Sequence, residues 1–247
     1  MVESLKLSYF VGSYNINHKL QLSIDHLLMF MQETASRHID LNHFGWHELQ
    51  QEHQFWVLSK IELHIMHTAN WNDTIQVETW GKKTELLSLY RDFIISDMQD
   101  RPIAKATSAW LILDTDTHKP VIPDRYIQDF PSCPHRNAIE TKPQKVAMPA
   151  GIPYTESDIR KVHVSDIDMN LHANNTHYIR WAMDEIPLNF ARHHHLSRIA
   201  VNFNSEARYD DKFRIRTAQN NLQFTQQMIR MEDNCILAQI QTTWQED

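Results

Sequence analysis

Ser23-Ile24-Asp25-His26-Leu27-Leu28-Met29-Phe30-Met31-Gln32-Glu33-Thr34-Ala35-Ser36-Arg37-His38-Ile39 reads as one amphipathic helix. Ser23 is placed to cap its start, and Ile24, Leu27, Leu28, Met31, Ala35, His38 and Ile39 recur at the spacing of a single helical face. The helix is expected to end near Gly45. Strand-like segments follow at 55–67, 73–81, 87–98 and 103–113. Ile75, Val77 and Thr79 oppose Gln76, Glu78 and Trp80, and Asp97 to Arg101 supplies a polar turn. One long helix followed by four antiparallel strands predicts a sheet wrapped round a helix, since the sheet must bury the helix's apolar stripe. Upstream, residues 8–22 alternate loosely enough for a strand, with Tyr14, Ile16, Leu20 and Leu22 as inward positions.

Downstream the pattern dissolves. From Asp114 to Ser157 lie seven of the nine prolines, at 120, 123, 131, 134, 143, 149 and 153, and proline removes backbone donors and disfavours helix before it. This reads as an extended linker. Beyond it the order repeats: a short strand at 161–165, a polar cluster, a helix over about 175–186, then strands near 197–205, 211–219, 222–231 and 235–244. Phe213, Ile215 and Thr217 alternate with Arg214 and Arg216, as in a sheet with one wet face. The expected class is therefore α+β, a tandem duplication in architecture. Its divisions are a first domain over 1–115, a Pro-rich linker over 116–158 and a second domain over 159–247.

Composition narrows the function classes. The chain has 247 residues, enough for one large or two smaller cores, with 42% apolar and 22% charged residues, an ordinary globular mix. No apolar run approaches the ~18 residues that span a bilayer. The N-terminus has neither signal-peptide nor transit-peptide character, so the cytoplasm is the expected location. Cys133 and Cys235 are far apart and form no Cys-x-x-Cys, which argues against a disulfide framework or thiolate metal site. Three adjacent histidines, His193, His194 and His195, cannot converge on one ion unaided, so no metal is expected. A net charge of −7 argues against nucleic acid.

The polar cluster lies in Val162-His-Val-Ser-Asp-Ile-Asp-Met-Asn-Leu-His-Ala-Asn-Asn-Thr-His-Tyr-Ile-Arg-Trp-Ala-Met-Asp-Glu-Ile-Pro187. Its second half is a helix, with Tyr178, Ile179, Ala182, Met183 and Ile186 forming the stripe, Asn174 or Asn175 as cap and Pro187 as stop. The cluster thus leads into a helix N-terminus, where backbone N–H groups favour developing negative charge. Asp168, Asn170 and His172 alternate, so an extended backbone would send a carboxylate, an amide donor and an imidazole to one face. An Asx-rich turn capping a helix explains the same spacing.

The stretch resembles the active-site segment of the plant-type fatty acyl-ACP thioesterases, where a similar Ser-Asp-x-Asp-Met-Asn-x-His-x-Asn-Asn run precedes the C-terminal helix. Thr68-Ala-Asn-Trp-Asn-Asp-Thr-Ile-Gln-Val-Glu-Thr-Trp80, Tyr90-Arg-Asp-Phe93, Ala106-Thr-Ser-Ala-Trp110 and Ile122-Pro-Asp124 resemble that family in its own order. The resemblance implies a double hotdog fold, an acyl tunnel lined in the first hotdog by the 24–39 helix, and an acyl carrier protein bearing a fatty acyl chain as partner. No cofactor is expected, and charge and the lack of a long apolar run make neither nucleic acid nor membrane an expected partner. The lack of a transit peptide suggests a bacterial member, and a monomer or a homodimer would both suit two hotdogs in one chain. Acyl carriers are acidic, so docking needs a basic patch; Lys82-Lys83, Arg160-Lys161 and Arg192 to Arg198 are the candidates.

By the same resemblance Asn170 polarises the thioester carbonyl, His172 shares the water, Asp168 orients Asn170 and a downstream carboxylate takes the proton. Asn204-Ser205-Glu206-Ala207-Arg208 aligns best, making Glu206 the base and placing Ala207 where many relatives carry cysteine. A slip in that alignment would transfer the role to Asp210 or Asp211. A serine route is excluded, because Gly12, Gly45, Gly81 and Gly151 build no Gly-x-Ser-x-Gly, nor any phosphate loop. An acyl-CoA hydrolase of the hotdog type and a non-catalytic acyl-binding module are the alternatives, the second opposed by the intact Asp-x-Asn-x-His.

Overall fold

The computed structural model describes residues 1–121 and 130–247, so Ile122-Pro123-Asp124 lies outside the described residues. They divide into two compact units, Met1–Pro143 and Gln144–Asp247.

In the first unit a sheet forms from β1 (Ser4–Phe10), β2 (Gln54–Ile65), β3 (Thr74–Glu85), β4 (Ser88–Asp97) and β5 (Pro102–Asp114), in the antiparallel order β1-β3-β4-β5-β2. A two-residue β6 (Pro120–Val121) pairs with β5. The sheet curls over α1 (Ile24–Leu41), which packs on β1 and β3. The stripe read from the sequence is the buried face: Ile24, Leu27, Leu28, Met31 and Ala35 are buried, as are the sheet positions Ile75, Val77, Phe93 and Ile95. Each of these side chains larger than alanine contributes about 1.5–3 kcal/mol on leaving water.

Three local readings change. The strand expected over 8–22 is β1, ending at Phe10, because the polar side chains that follow turn the chain. Asn15 Oδ1 accepts the Gly12 N–H (3.0 Å), and Asn17 Oδ1 accepts those of Lys19 and Gln21 (2.8 and 3.2 Å), building a 3-10 turn at Ser13–Asn15 and a loop after it. A short α2 (Trp46–Gln51) follows α1; its Leu49 is fully buried with Phe44, Leu89 and Ile112. In β3 the alternation holds through Thr79, after which both faces are buried from Trp80 to Lys82. The outer face there is covered by residues 130–143, part of the segment read as linker. Arg136 stacks on Trp80 (3.8 Å) and grips Glu78 with two bonds (2.7 and 2.6 Å), while the Ala138 N–H reaches Asp92 (2.8 Å). Gly81 is required by that cover, since a Cβ would lie 2.4 Å from the Pro131 carbonyl oxygen. Lys82 is buried beside Asp92 (3.5 Å), which removes it from the docking candidates.

The second unit repeats the plan. Strands β7 (Tyr154–Glu156), β8 (Arg160–Lys161), β9 (His194–Phe203), β10 (Lys212–Asn220), β11 (Gln223–Arg230) and β12 (Ile236–Glu246) are ordered β9-β12-β11-β10-β7, with β8 also on β10. The helix inside this sheet is α3 (Asn175–Met183), half the length of α1, and Pro187 starts a separate α4 (Leu188–His193). The histidine run closes α4 and opens β9. His193 and His194 donate through Nδ1 to the carbonyls of Asn189 and Phe190 (2.8 Å each), and His195 pairs with Asp247 (3.1 Å). Both units are hotdogs: each is an antiparallel sheet wrapped on one central helix.

A polar contact inside the first core sets a pH limit on stability. His38, on the buried face of α1, has no exposed surface; its Nε2 donates to the Val2 carbonyl (2.8 Å) and its Nδ1 accepts from Arg91 (3.1 Å). Burial, then the adjacent Arg91 charge, lowers its pKa from 6.5 to about 4. The unfolded chain therefore takes up this proton first, and the stability tied to neutral His38 is complete above about pH 6.5 and lost as pH falls toward 4. Urea-unfolding midpoints measured across that window should decline for the wild type, and the decline should be shallower for His38→Gln, which keeps both bonds without the titration.

Candidate active site

The polar cluster does not run extended. Val164–Asp166 form a 3-10 turn, Ile167 and Ala173 bridge antiparallel, and between them the chain reverses. The Asp168 N–H donates to the His172 carbonyl (2.8 Å), the Leu171 N–H to the Asp168 carbonyl (3.1 Å), and Leu171 takes a left-handed φ of 62°. Asp168, Asn170 and His172 consequently do not alternate along a strand. The cause is the Asp168 carboxylate, whose Oδ1 accepts the Asn170 N–H (2.8 Å) and closes an Asx turn, the competing reading of the same spacing. Asp168 thus holds Asn170 by its backbone. Asn174 caps α3, accepting from both the N–H and the hydroxyl of Thr176 (3.0 and 2.8 Å).

Glu206 lies three residues beyond the end of β9, in the turn before β10, because the strand expected to reach 205 stops at Phe203. Its Oε2 stands 3.0 Å from His172 Nε2, with both side chains mostly buried. The turn is bound to the polar loop by the Ala173 N–H on the Ala207 carbonyl (2.8 Å) and by a bridge between His172 and Arg208. The two other carboxylates are engaged elsewhere: Asp210 pairs with Lys161, and Asp211 accepts from the Arg208 N–H (2.9 Å) and from Arg230 (3.3 Å). Ala207 has no exposed surface, so a thiol in its place would point into protein. Tyr178 and Arg230, not singled out by sequence reasoning for a role here, bond the backbone around Glu206: the Ala207 N–H donates to the Tyr178 hydroxyl (2.7 Å) and Arg230 Nη1 to the Glu206 carbonyl (3.2 Å).

The first unit carries the same frame with different side chains. Asn15 accepts the Gly12 N–H as Asp166 accepts that of His163 (2.7 Å), and Asn17 Oδ1 accepts the Lys19 N–H as Asp168 accepts that of Asn170. The Asn17 N–H donates to the Gln21 carbonyl (2.8 Å), Leu20 has φ 59°, and the Leu22 N–H bonds the Ala69 carbonyl (2.8 Å). Asn70 N–H to Asp73 (2.7 Å) matches Arg208 N–H to Asp211. A sequence signal exists for this correspondence, Asn15-Ile-Asn-x-x-Leu20 against Asp166-Ile-Asp-x-x-Leu171. Where the second unit presents Asn170, His172 and Glu206, the first presents Lys19, Gln21 and Thr68. Asp166, Asp168 and Asp211 have counterparts in both frames, as structural groups should.

Another His–carboxylate pair lies in the same unit, His177 Nδ1 to Asp166 Oδ1 at 3.2 Å, in a groove of about 490 Å³ lined also by Arg160, Lys161, His163 and Arg180. Several of its charges are paired: Asp166 holds the 3-10 turn, Arg160 pairs with Asp184 (3.0 Å) and Glu185 (2.5 Å), and Lys161 with Asp210. Among the described residues no cluster of three or more His, Cys, Asp or Glu is arranged to hold a metal.

Comparison with known proteins matches this chain to one family. The acyl-ACP thioesterase N-terminal domain matches residues 3–130 and the acyl-ACP thioesterase C-terminal domain residues 154–246. A chloroplastic oleoyl-acyl carrier protein thioesterase of Coriandrum sativum is 26% identical, aligning with 84% of this chain and 60% of its own length. A chloroplastic palmitoyl-acyl carrier protein thioesterase of Cuphea hookeriana is 26% identical over 96% of this chain and 61% of its own. The chain thus spans about three fifths of the length of these plant relatives. Among solved structures, the 12:0-ACP thioesterase from Umbellularia californica superposes with a TM-score of 0.85 at 20% identity, covering 100% of this chain and 99% of that one. A putative oleoyl thioesterase from Lactobacillus plantarum gives 0.86 at 19% identity, covering 98% and 96%, and both likenesses bear on the fold. With both domains matched in order, the chain belongs to the acyl-ACP thioesterase family.

Proposed function

We propose that the chain hydrolyses the thioester of a fatty acyl-acyl carrier protein, releasing free fatty acid and holo-carrier and ending fatty acid synthesis. The observation that carries the reading is the 3.0 Å contact between His172 and Glu206, on a frame whose other copy holds glutamine and threonine instead. The names of the relatives, oleoyl- and palmitoyl-acyl carrier protein thioesterase, supply the substrate class.

In this reading a water molecule sits against the His172–Glu206 pair. Glu206 takes its proton as the oxygen attacks the thioester carbonyl carbon, and His172 orients the attacking water and shares the charge that develops. The carbonyl oxygen becomes an oxyanion, met by the Asn170 amide. Collapse breaks the carbon–sulfur bond, and the proton held by the pair passes to the departing thiolate. No covalent acyl-enzyme is needed. Asp168 serves by keeping the turn that presents Asn170, as Asn17 keeps the matching turn in the first unit. We place the reaction in the cytoplasm, a setting that suits two unpaired cysteines, Cys133 and Cys235.

Free fatty acid release from acyl carrier proteins loaded with C8 to C18 chains tests the assignment. Glu206→Gln should lose roughly 10²–10⁴-fold in kcat and Asn170→Ala roughly 10²–10³-fold, with unfolding midpoints near the wild type; full turnover by Glu206→Gln would remove it as the base. Asp168→Asn, which keeps the acceptor oxygen and drops the charge, should stay within about 10-fold of wild type, whereas Asp168→Ala should fall further. A loss by Asp168→Asn as large as that of Glu206→Gln would show that its charge takes part.

A further inference from the structure

We infer that Tyr178, assisted by Arg230, is a positioning residue that sets the Glu206 carboxylate against His172, an inference that rests on Glu206 being the base. Glu206 sits outside both flanking ladders, so the peptide groups around it need partners from elsewhere. The Tyr178 hydroxyl supplies them on both sides: it accepts the Ala207 N–H at 2.7 Å and points its own proton toward the Ser205 carbonyl at 3.5 Å. Arg230 Nη1 takes the carbonyl of Glu206 itself at 3.2 Å, and that guanidinium is fixed in turn by Asp211 (3.3 Å) and Asp233 (2.9 Å). The residue carrying the base is therefore held at its own peptide and at both neighbours.

The hydroxyl is not there for packing. Tyr178 follows the Asn174 cap by four residues, and in the first unit the residue four beyond Ser23 is Leu27, equally buried on the same face of its helix. There the position opposite is Thr68, with no carboxylate to hold. A buried phenol costs free energy unless bonded, so its presence in the copy that has Glu206 points to the bonds it makes. The ring is immobilised by Trp181 (5.3 Å) and Phe203 (5.7 Å). Burial, with the Glu206 charge adding to it, raises the Tyr178 pKa above its usual value, so the hydroxyl stays neutral. Without it the buried Ala207 N–H must find another acceptor, and the 205–207 backbone shifts to do so, carrying the carboxylate off His172.

Tyr178→Phe removes only the oxygen. Measured on acyl carrier protein substrates, kcat should fall about 10- to 100-fold, as for a misplacement of about 1 Å, while KM stays within about 2-fold. The decisive comparison is a cycle with Glu206→Gln under single-turnover conditions. In that background Tyr178→Phe should change the rate by less than about 2-fold, because its effect runs through the carboxylate. Equal losses in both backgrounds, or an unchanged kcat in the single variant, would overturn the inference. If Tyr178→Phe fails to fold by circular dichroism, Arg230→Met enters the same cycle, where additive losses overturn the clamp and coupled losses support it. Wild-type rates in Glu206→Gln itself would bring down the assignment of the base, and this inference with it, on a measurement separate from the cycle.

Discussion

Peptide groups that leave a sheet ladder must still be bonded, and from 163 to 174 this chain meets that demand with short side-chain oxygens. Asp166 holds the His163 N–H, Asp168 that of Asn170, Asn174 that of Thr176, and each bond bends the chain at a defined place. The site depends on those bends. They reverse the backbone so that His172 emerges beside the turn after β9, where Glu206 waits, and they hand the chain to α3 at a capped N-terminus. An apolar loop of equal length could not be held this way, since its buried donors would each cost about 1–3 kcal/mol.

The two units share one backbone frame and differ in the side chains set on it. Asn15, Asn17 and Asp73 make the bonds that Asp166, Asp168 and Asp211 make, so amide and carboxylate serve equally as acceptors for a backbone N–H. A carboxylate at such a position is not by itself a sign of acid–base work. His172 and Glu206 have no such excuse: Gln21 and Thr68 stand in the matching frame, and the bends persist without an imidazole or an acid. The first unit puts its buried histidine to a different use, locking His38 between Val2 and Arg91 inside the core.

The fold was legible in the sequence because apolar burial, the main force that holds it together, leaves a periodic trace. The stripe from Ile24 to His38 and the alternation of Ile75, Val77 and Thr79 report burial directly, and they placed α1 and the four long strands of the first unit to within a few residues. What periodicity could not report was local polar bonding. Asp168, Asn170 and His172 have the spacing of a strand face, yet one bond from Asp168 Oδ1 bends them into a turn. The same blindness hid the cover over Trp80, where prolines suggested a spacer but Arg136 had partners in Trp80 and Glu78. Lys82 looked like surface for a like reason, its carboxylate partner Asp92 being ten residues away in the chain and on the next strand.

Tyr178 shows why a residue bonded to the turn that carries Glu206 escapes a reading by periodicity. Its ring satisfies the helical stripe and its hydroxyl satisfies the loop, so periodicity accounts for the residue completely and leaves nothing over to explain. Only the comparison with Leu27 exposes the surplus, because the same packing is achieved there without an oxygen. The same holds wherever a frame occurs twice in one chain. Polar atoms present in both copies hold the backbone, polar atoms present in one copy answer to something particular to it, and here the extra oxygen bonds the backbone on either side of Glu206.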